Sequence, residues 1–163
     1  MFRTITKLFT AFGLSLLMAF SITAQAADDG AKAVYHVDFQ DPTRYSATLT
    51  SINNIMNYYE SELMEPAVHL VFVGFGLRFT TDYSLKGTPY AHDKKLLDRR
   101  DEFKGRVNAL IDVRGVKVHL CDKTRDEVDL PQAEVYKGIE FTPSGVAKIA
   151  ILQSEGYAYL KVQ

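Results

Sequence analysis

The chain reads as an α/β domain of βα units stacked on a mostly parallel sheet. Three observations predict this class. Short β-branched or aromatic runs alternate with longer stretches of helical period. One of the short runs, Ala67 to Val73, is apolar at Val68, Leu70, Val71, Phe72 and Val73, as suits an interior strand covered on both faces. The helical stretches are bounded by start and stop residues, Asp41-Pro42 before the first, Gly115 and Gly156 after later ones.

Taken in order, Val34 to Asp38 is the first strand. Asp41-Pro42 then suits a helix entry with Pro near the first turn. Beyond it Tyr45, Leu49, Ile52, Ile55, Met56 and Tyr59 recur at three and four residues, which makes one buried helical face. Ala67 to Val73 is the second strand, followed by Gly74-Phe75-Gly76-Leu77. Arg78 to His92 carries Asp82, Ser84, Gly87 and Pro89 with no sustained period, and reads as an irregular excursion or a short helix. Lys94 to Arg114 spaces Leu96, Leu97, Phe103, Val107, Leu110 and Ile111 among charges, predicting one long amphipathic helix capped by Gly115. Its charged residues, Asp98 to Glu102 with Lys104, read as a solvated, ion-paired face. Val116 to Cys121 is the third strand. Thr124 to Leu130 has room for one or two helical turns before Pro131, and Val135 to Phe141 is a weak strand or loop. Ser144 to Glu155 is a final helix stopped by Gly156, and Tyr157 to Val162 a closing strand with Tyr157 and Tyr159 on one side.

The first residues have the form of an export signal. Arg3 and Lys7 are basic, Leu8 to Ile22 is almost wholly apolar, and Ala24-Gln25-Ala26 fits a cleavage site. The apolar run is 15 residues, short of the roughly 20 that span a bilayer, so cleavage after residue 26 and a periplasmic, soluble domain over 27–163 are expected. The mature chain then carries net charge −3 and no cationic tract, which disfavours nucleic acid or an anionic membrane surface as partner.

Cys121 is the one cysteine. No internal disulfide can form, so packing carries stability. It stands where a strand ends, the place at which open α/β sheets gather ligands and chemistry. His119, two residues earlier, shares its face of the strand. A charged His119, a following helix terminus, Lys123 or Arg125 would favour thiolate, which attacks disulfides or accepts a sulfur atom, while Asp122 opposes it. In the other arrangement His119 and Cys121 face a packed helix and stay neutral. Gly74-Phe75-Gly76 lacks the third glycine and the direct helix of a dinucleotide loop, so it reads as a strand-exit turn able to wall a pocket shared with Cys121. His36, His69, His92 and His119 show no ligand spacing, and neither Cys-x-x-Cys nor Gly-x-Ser-x-Gly is present, so no metal or other cofactor is expected.

Together, Val34 to Asp38 with its helix, Gly74-Phe75-Gly76-Leu77, Gly115 to Cys121, Pro143-Ser144-Gly145-Val146 and Gln153 to Tyr159 resemble the DsrE/DsrF-like family, in particular its exported single-domain members. The resemblance spans roughly residues 33–162. It implies a three-layer α/β/α sandwich with a mainly parallel five-stranded sheet, and homo- or hetero-oligomers, commonly trimers or hexamers. In the cytoplasmic sulfur-relay members a cysteine at the matching strand end carries sulfur as a persulfide between donor and acceptor proteins, a role that falls here on Cys121. Export sets this chain apart from those members.

Two functions are thus expected. One is a periplasmic sulfur carrier using Cys121, with His119 or backbone amides tuning the thiolate and no cofactor. The alternative is a non-catalytic small-ligand-binding or oligomeric assembly module, its pocket walled by Gly74, Phe75 and Gly76, in which Cys121 is structural. Catalytic turnover ranks behind both, because no acid/base pair can be placed beside the nucleophile.

Overall fold

The computed structural model describes residues 31–163; the leader expected over residues 1–26 lies outside them. Among the described residues five strands form one sheet: β1 Lys32–Val37, β2 Ala67–Phe72, β3 Lys117–Cys121, β4 Ile139–Thr142 and β5 Ala158–Leu160. Their order is β4-β3-β2-β1-β5, and every neighbouring pair is parallel. The helices are α1 Pro42–Ser61, α2 Lys94–Leu97, α3 Arg100–Asp112, α4 Asp122–Asp126 and α5 Gly145–Ser154.

The strand order dictates the layers. From β1 to β4 each connection moves one strand in the same direction, and right-handed crossovers place the helices of those connections on one face. β5 lies beyond β1, so the last connection runs back across the sheet, and the same handedness sends α5 to the opposite face. Two cores result. Tyr35, Val37, Leu70, Phe72, Val118 and Leu120 pack with Tyr45, Leu49 and Ile52 of α1 and Phe103, Val107 and Leu110 of α3. Val34 and Val71 pack with Ile149 and Leu152 of α5. Alternate residues of each strand thus enter different cores, which is why Ala67 to Val73 is apolar at every position but His69. The larger core centres on Tyr45, whose ring stacks on Phe79 at 4.1 Å and meets Phe103 edge-on at 5.1 Å.

Local start signals act as expected. Asp41 accepts the Arg44 N–H at 2.6 Å with Pro42 opening α1, and Ser144 accepts the Ala147 N–H at 3.3 Å to open α5. Gly115 takes φ +68 after α3.

Four details differ from expectation. The single helix over Lys94 to Arg114 is two, because Arg99 leaves helical geometry (φ −122, ψ 8) and its guanidinium reaches Ser46 of α1 at 2.9 Å. The turns expected from Thr124 start at Asp122, directly after β3. Of Val135 to Phe141 only the end is strand; Val135 instead forms an antiparallel bridge with Thr81. The strand-exit turn at Gly74 opens into a 3-10 helix, Gly74–Phe79, and the irregular excursion from Arg78 to His92 follows it, held by Arg78, which is 2 % exposed. Its guanidinium donates to the Gln40 and Ala91 carbonyls and to Asp93 at 3.3, 2.9 and 2.8 Å.

That 3-10 turn presses on β1. A Cβ on Gly76 would stand 2.1 Å from the Val37 carbonyl oxygen. Gly76→Ala is therefore expected to destabilise the domain by at least about 2 kcal/mol in urea melts, since the clash is with backbone. An unchanged midpoint would mean the turn is free of β1.

Candidate functional site at Cys121

Cys121 closes β3 and immediately precedes α4, with extended backbone (φ −66, ψ 116) and 4 % exposure. The backward crossover brings the first turn of α5 over it. At Gly145 an added Cβ would lie 3.1 Å from the Cys121 Cβ and 2.5 Å from Val73 Cγ2, so only glycine allows this approach. Burial alone would push the thiol pKa up. The neighbouring backbone N–H groups of Gly145, Thr124 and Lys123 and the Thr124 hydroxyl outweigh it and leave the thiol below its ordinary value. The chemistry this permits is nucleophilic, because the ionised sulfur is the form these donors favour.

His119 does not supply the charge. It sits on the face of β3 that carries Cys121, 2 % exposed, paired across the strands with Val71 and Glu140. Its Nε2 lies 2.8 Å from Nδ1 of His69, the rings stacked at 5.0 Å, and Tyr157 meets His69 edge-on at 4.8 Å. Its Nδ1 lies 3.3 Å from a Glu140 carboxylate oxygen. One tautomer chain satisfies both contacts with neutral rings: His69 donates from Nδ1 to His119, which donates from Nδ1 to Glu140. Burial, with Lys148 and Lys117 nearby, lowers His119 to about 4; burial, then His119 and the same lysines, lowers His69 to about 4 against the pull of Glu140. Glu140 is 62 % exposed, too well hydrated to charge the ring. Arg125 is likewise committed, to Asp122 at 2.8 Å and to Asp126.

The glycine turn divides. Gly74 N–H donates to Thr124 Oγ1 at 3.1 Å, bringing the turn against the residue that follows Cys121 by three. Phe75 is partly exposed and meets Tyr90 edge-on at 5.5 Å. Tyr90 donates to Glu127 at 2.8 Å, and its phenol pKa is raised by burial, by Glu127 and by the nearby Cys121 sulfur. Gly76 belongs to the packing on β1. Gly74 and Phe75 therefore border the Cys121 surroundings and Gly76 does not.

Sequence reasoning missed Thr124, Gly145, His69 and Tyr90 as neighbours of this site. Gly145 followed the helix-start serine, the one available signal; the other three come from segments whose pairing no local pattern encodes. A separate cleft of about 330 Å³, bordered by Asp82, Lys104, Asn108 and Tyr136, includes none of the expected site residues. Among the described residues no three His, Cys, Asp or Glu side chains are grouped to hold a metal, and no helix is long and apolar enough to cross a membrane.

The buried imidazoles make stability depend on pH. Their folded values near 4 lie below the ordinary value of 6.5, so their contribution is complete above about 6.5 and is lost as pH falls toward 4. Urea midpoints should fall between pH 7 and pH 5. Replacing both residues, His69→Gln with His119→Gln, should lower the midpoint at pH 7 and make that dependence shallower, the remainder belonging to His92, which burial also lowers to about 4. A double variant that keeps the full slope contradicts the assignment.

A family model described as the DsrE/DsrF-like family matches residues 32–162. No curated protein matches the sequence. Among solved structures, MTH1491 of Methanobacterium thermoautotrophicum, described as a protein of unknown function, is similar with TM-score 0.62 and 22 % identity, over 79 % of this chain and 96 % of its own. The ychN protein from E. coli is similar with TM-score 0.53 and 15 % identity, over 80 % and 97 %. At these identities the two structures speak for the fold alone, the α/β sandwich read from the sequence. The match over almost all of the described domain places the chain in the DsrE/DsrF-like family, whose fold is that of sulfur-relay proteins.

Proposed function

We propose that the chain is an exported carrier of sulfane sulfur that holds its cargo as a persulfide on Cys121. The observation that carries this reading is the place of Cys121, at the carboxyl end of β3 in a parallel sheet and directly under the first turn of α5, in a chain of this family. In the loading step the Cys121 thiolate attacks the terminal sulfur of a polysulfide. A new S–S bond forms, the old one breaks, and the shortened polysulfide leaves with the electron pair. In unloading, an acceptor thiolate attacks the outer sulfur and Cys121 leaves as thiolate, so no net redox cofactor enters. The donors that stabilise the thiolate also stabilise it as leaving group.

Access sets the donor's size. With 4 % exposure, Cys121 is met by a small donor. His119, neutral and hydrogen-bonded to His69, supports the sheet under α5 in this reading. Export to the periplasm, with removal of residues 1–26, completes the proposal.

The second reading, an oligomeric assembly module, has its own observation. Val146 and Ile151 are 64 % and 52 % exposed on α5, and Tyr159 is 40 % exposed on the edge strand β5. Covering an edge strand by association is a common way to blunt it.

Intact-mass analysis of the protein from its native compartment, before and after polysulfide, tests the first reading. The expected result is a chain starting at Ala27 that gains about 32 Da per sulfur atom, with the gain absent in Cys121→Ser. A chain that takes up no sulfur while retaining its oligomeric state supports the module instead.

A further inference from the structure

We propose that His69 and His119 form an acid latch beneath α5: their shared hydrogen bond survives one added proton and breaks at a second, and the break unseats α5 while the face packed by α1 and α3 stays folded. The inference concerns how the fold opens, and it stands whether or not Cys121 carries sulfur.

The latch follows from counting hydrogens. Two neutral imidazoles hold two N–H groups between them. One lies between His69 Nδ1 and His119 Nε2, 2.8 Å apart, and the other points from His119 Nδ1 to Glu140 at 3.3 Å. A third hydrogen has a place on His69 Nε2 and leaves both contacts intact. A fourth has none. It must enter between the rings, where N–H would face N–H at a separation that only a hydrogen bond permits, and both rings would then carry positive charge. The surroundings deepen that repulsion. Lys148 of α5 and Lys117 of β3 stand near the pair, Glu140 of β4 lies largely in water, and Tyr157 packs edge-on against His69.

The pair lies on the face that α5 covers, His69 in register with Val34 and His119 with Val71. That face is the weaker one. Among the described residues its buried apolar core is Val34, Val71, Ile149 and Leu152, whereas the opposite face buries side chains from two long helices around Tyr45. β2 and β3 are held by ladders on both sides, so the strands stay in place. α5 is 10 residues long, includes the β-branched Val146, Ile149 and Ile151, and is shorter than a helix that stands alone in water. When the rings part, α5 is therefore the element that yields. Its release bares β2 and β3 together with the strand end that Gly145 covers.

Hydrogen exchange read by mass spectrometry on the purified protein, corrected for the pH dependence of free-amide exchange, follows each region separately. Peptides of α5 are compared with peptides of α1 and α3 between pH 7 and pH 5. Opening that lets a ring take up a proton gains up to about tenfold in population per pH unit for each ring. Protection of α5 should therefore fall about hundredfold or more over this range, two protons being taken up. At every pH it should stay at least about tenfold below that of α1 and α3, as a local opening requires. His119→Gln and His69→Gln each leave one imidazole, and the new amide offers an oxygen to accept or an N–H to donate, so the contact survives protonation. In either variant the fall should shrink to about tenfold, one proton remaining. The two variants are reciprocal, so one that folds suffices. Equal protection of α5 and the opposite face at each pH, an α5 indifferent to pH, or a variant that keeps the wild-type fall overturns the proposal.

Discussion

The first turn of α5 rests on the end of β3 at a distance that only a missing side chain allows, and the properties of Cys121 follow from that contact. A Cβ at Gly145 would drive into Val73 and crowd Cys121. Without it, the first turn of α5 settles over the end of β3, while α4 begins directly after the cysteine on the other side. The contact exists because β5 lies beyond β1. The chain must recross the sheet after β4, and the helix of that crossover covers β1, β2 and β3. Ile149 and Leu152, packed on Val34 and Val71, hold the helix down. Topology, apolar burial and the ionisation of one thiol are thus consecutive links of one chain.

Burial opposes ionisation of Cys121, and the groups that hold its thiol below the ordinary value are amides and a hydroxyl rather than charged side chains. The imidazoles on the same face are neutral, and Arg125 is spent on Asp122 and Asp126. Fixed dipoles in a water-poor site keep their effect at ionic strengths that would screen an exposed pair, and they need not reorganise when charge moves on or off the sulfur. That suits a group that is nucleophile in one step and leaving group in the next. The histidine pair serves a different end. It fills a buried polar gap between β2 and β3 with mutually satisfied groups, at the cost of sensitivity to acid.

The legible parts of this fold were those with local causes. Asp41-Pro42, Ser144 and Gly115 announce helix ends by backbone chemistry that acts within a few residues, and alternation or continuous apolarity marks the strands. The break at Arg99 was invisible because apolar spacing continues through it, and what interrupts the helix is a guanidinium anchored on Ser46, 53 residues away. The irregular excursion likewise takes its order from the buried Arg78, whose carbonyl partners no pattern announces. At the site, the strand-end position of Cys121 was readable. Its neighbours were not, since Gly74 meets Thr124, and His69 meets His119, across 50 residues through strand register. His119, Lys123 and Arg125 invited an electrostatic explanation for the thiol; burial keeps His119 neutral, and Arg125 is paired with Asp122 and Asp126.

The sulfur's ionisation and reach in the folded state are tested together by native-state alkylation of Cys121 with a small iodoacetamide, followed by mass across pH. A thiol held low by amides and open to small reagents should be modified in the folded protein near neutral pH, with a pH midpoint below that of an ordinary cysteine. Modification only after denaturation contradicts it, and leaves Cys121 as a packing residue of the sheet.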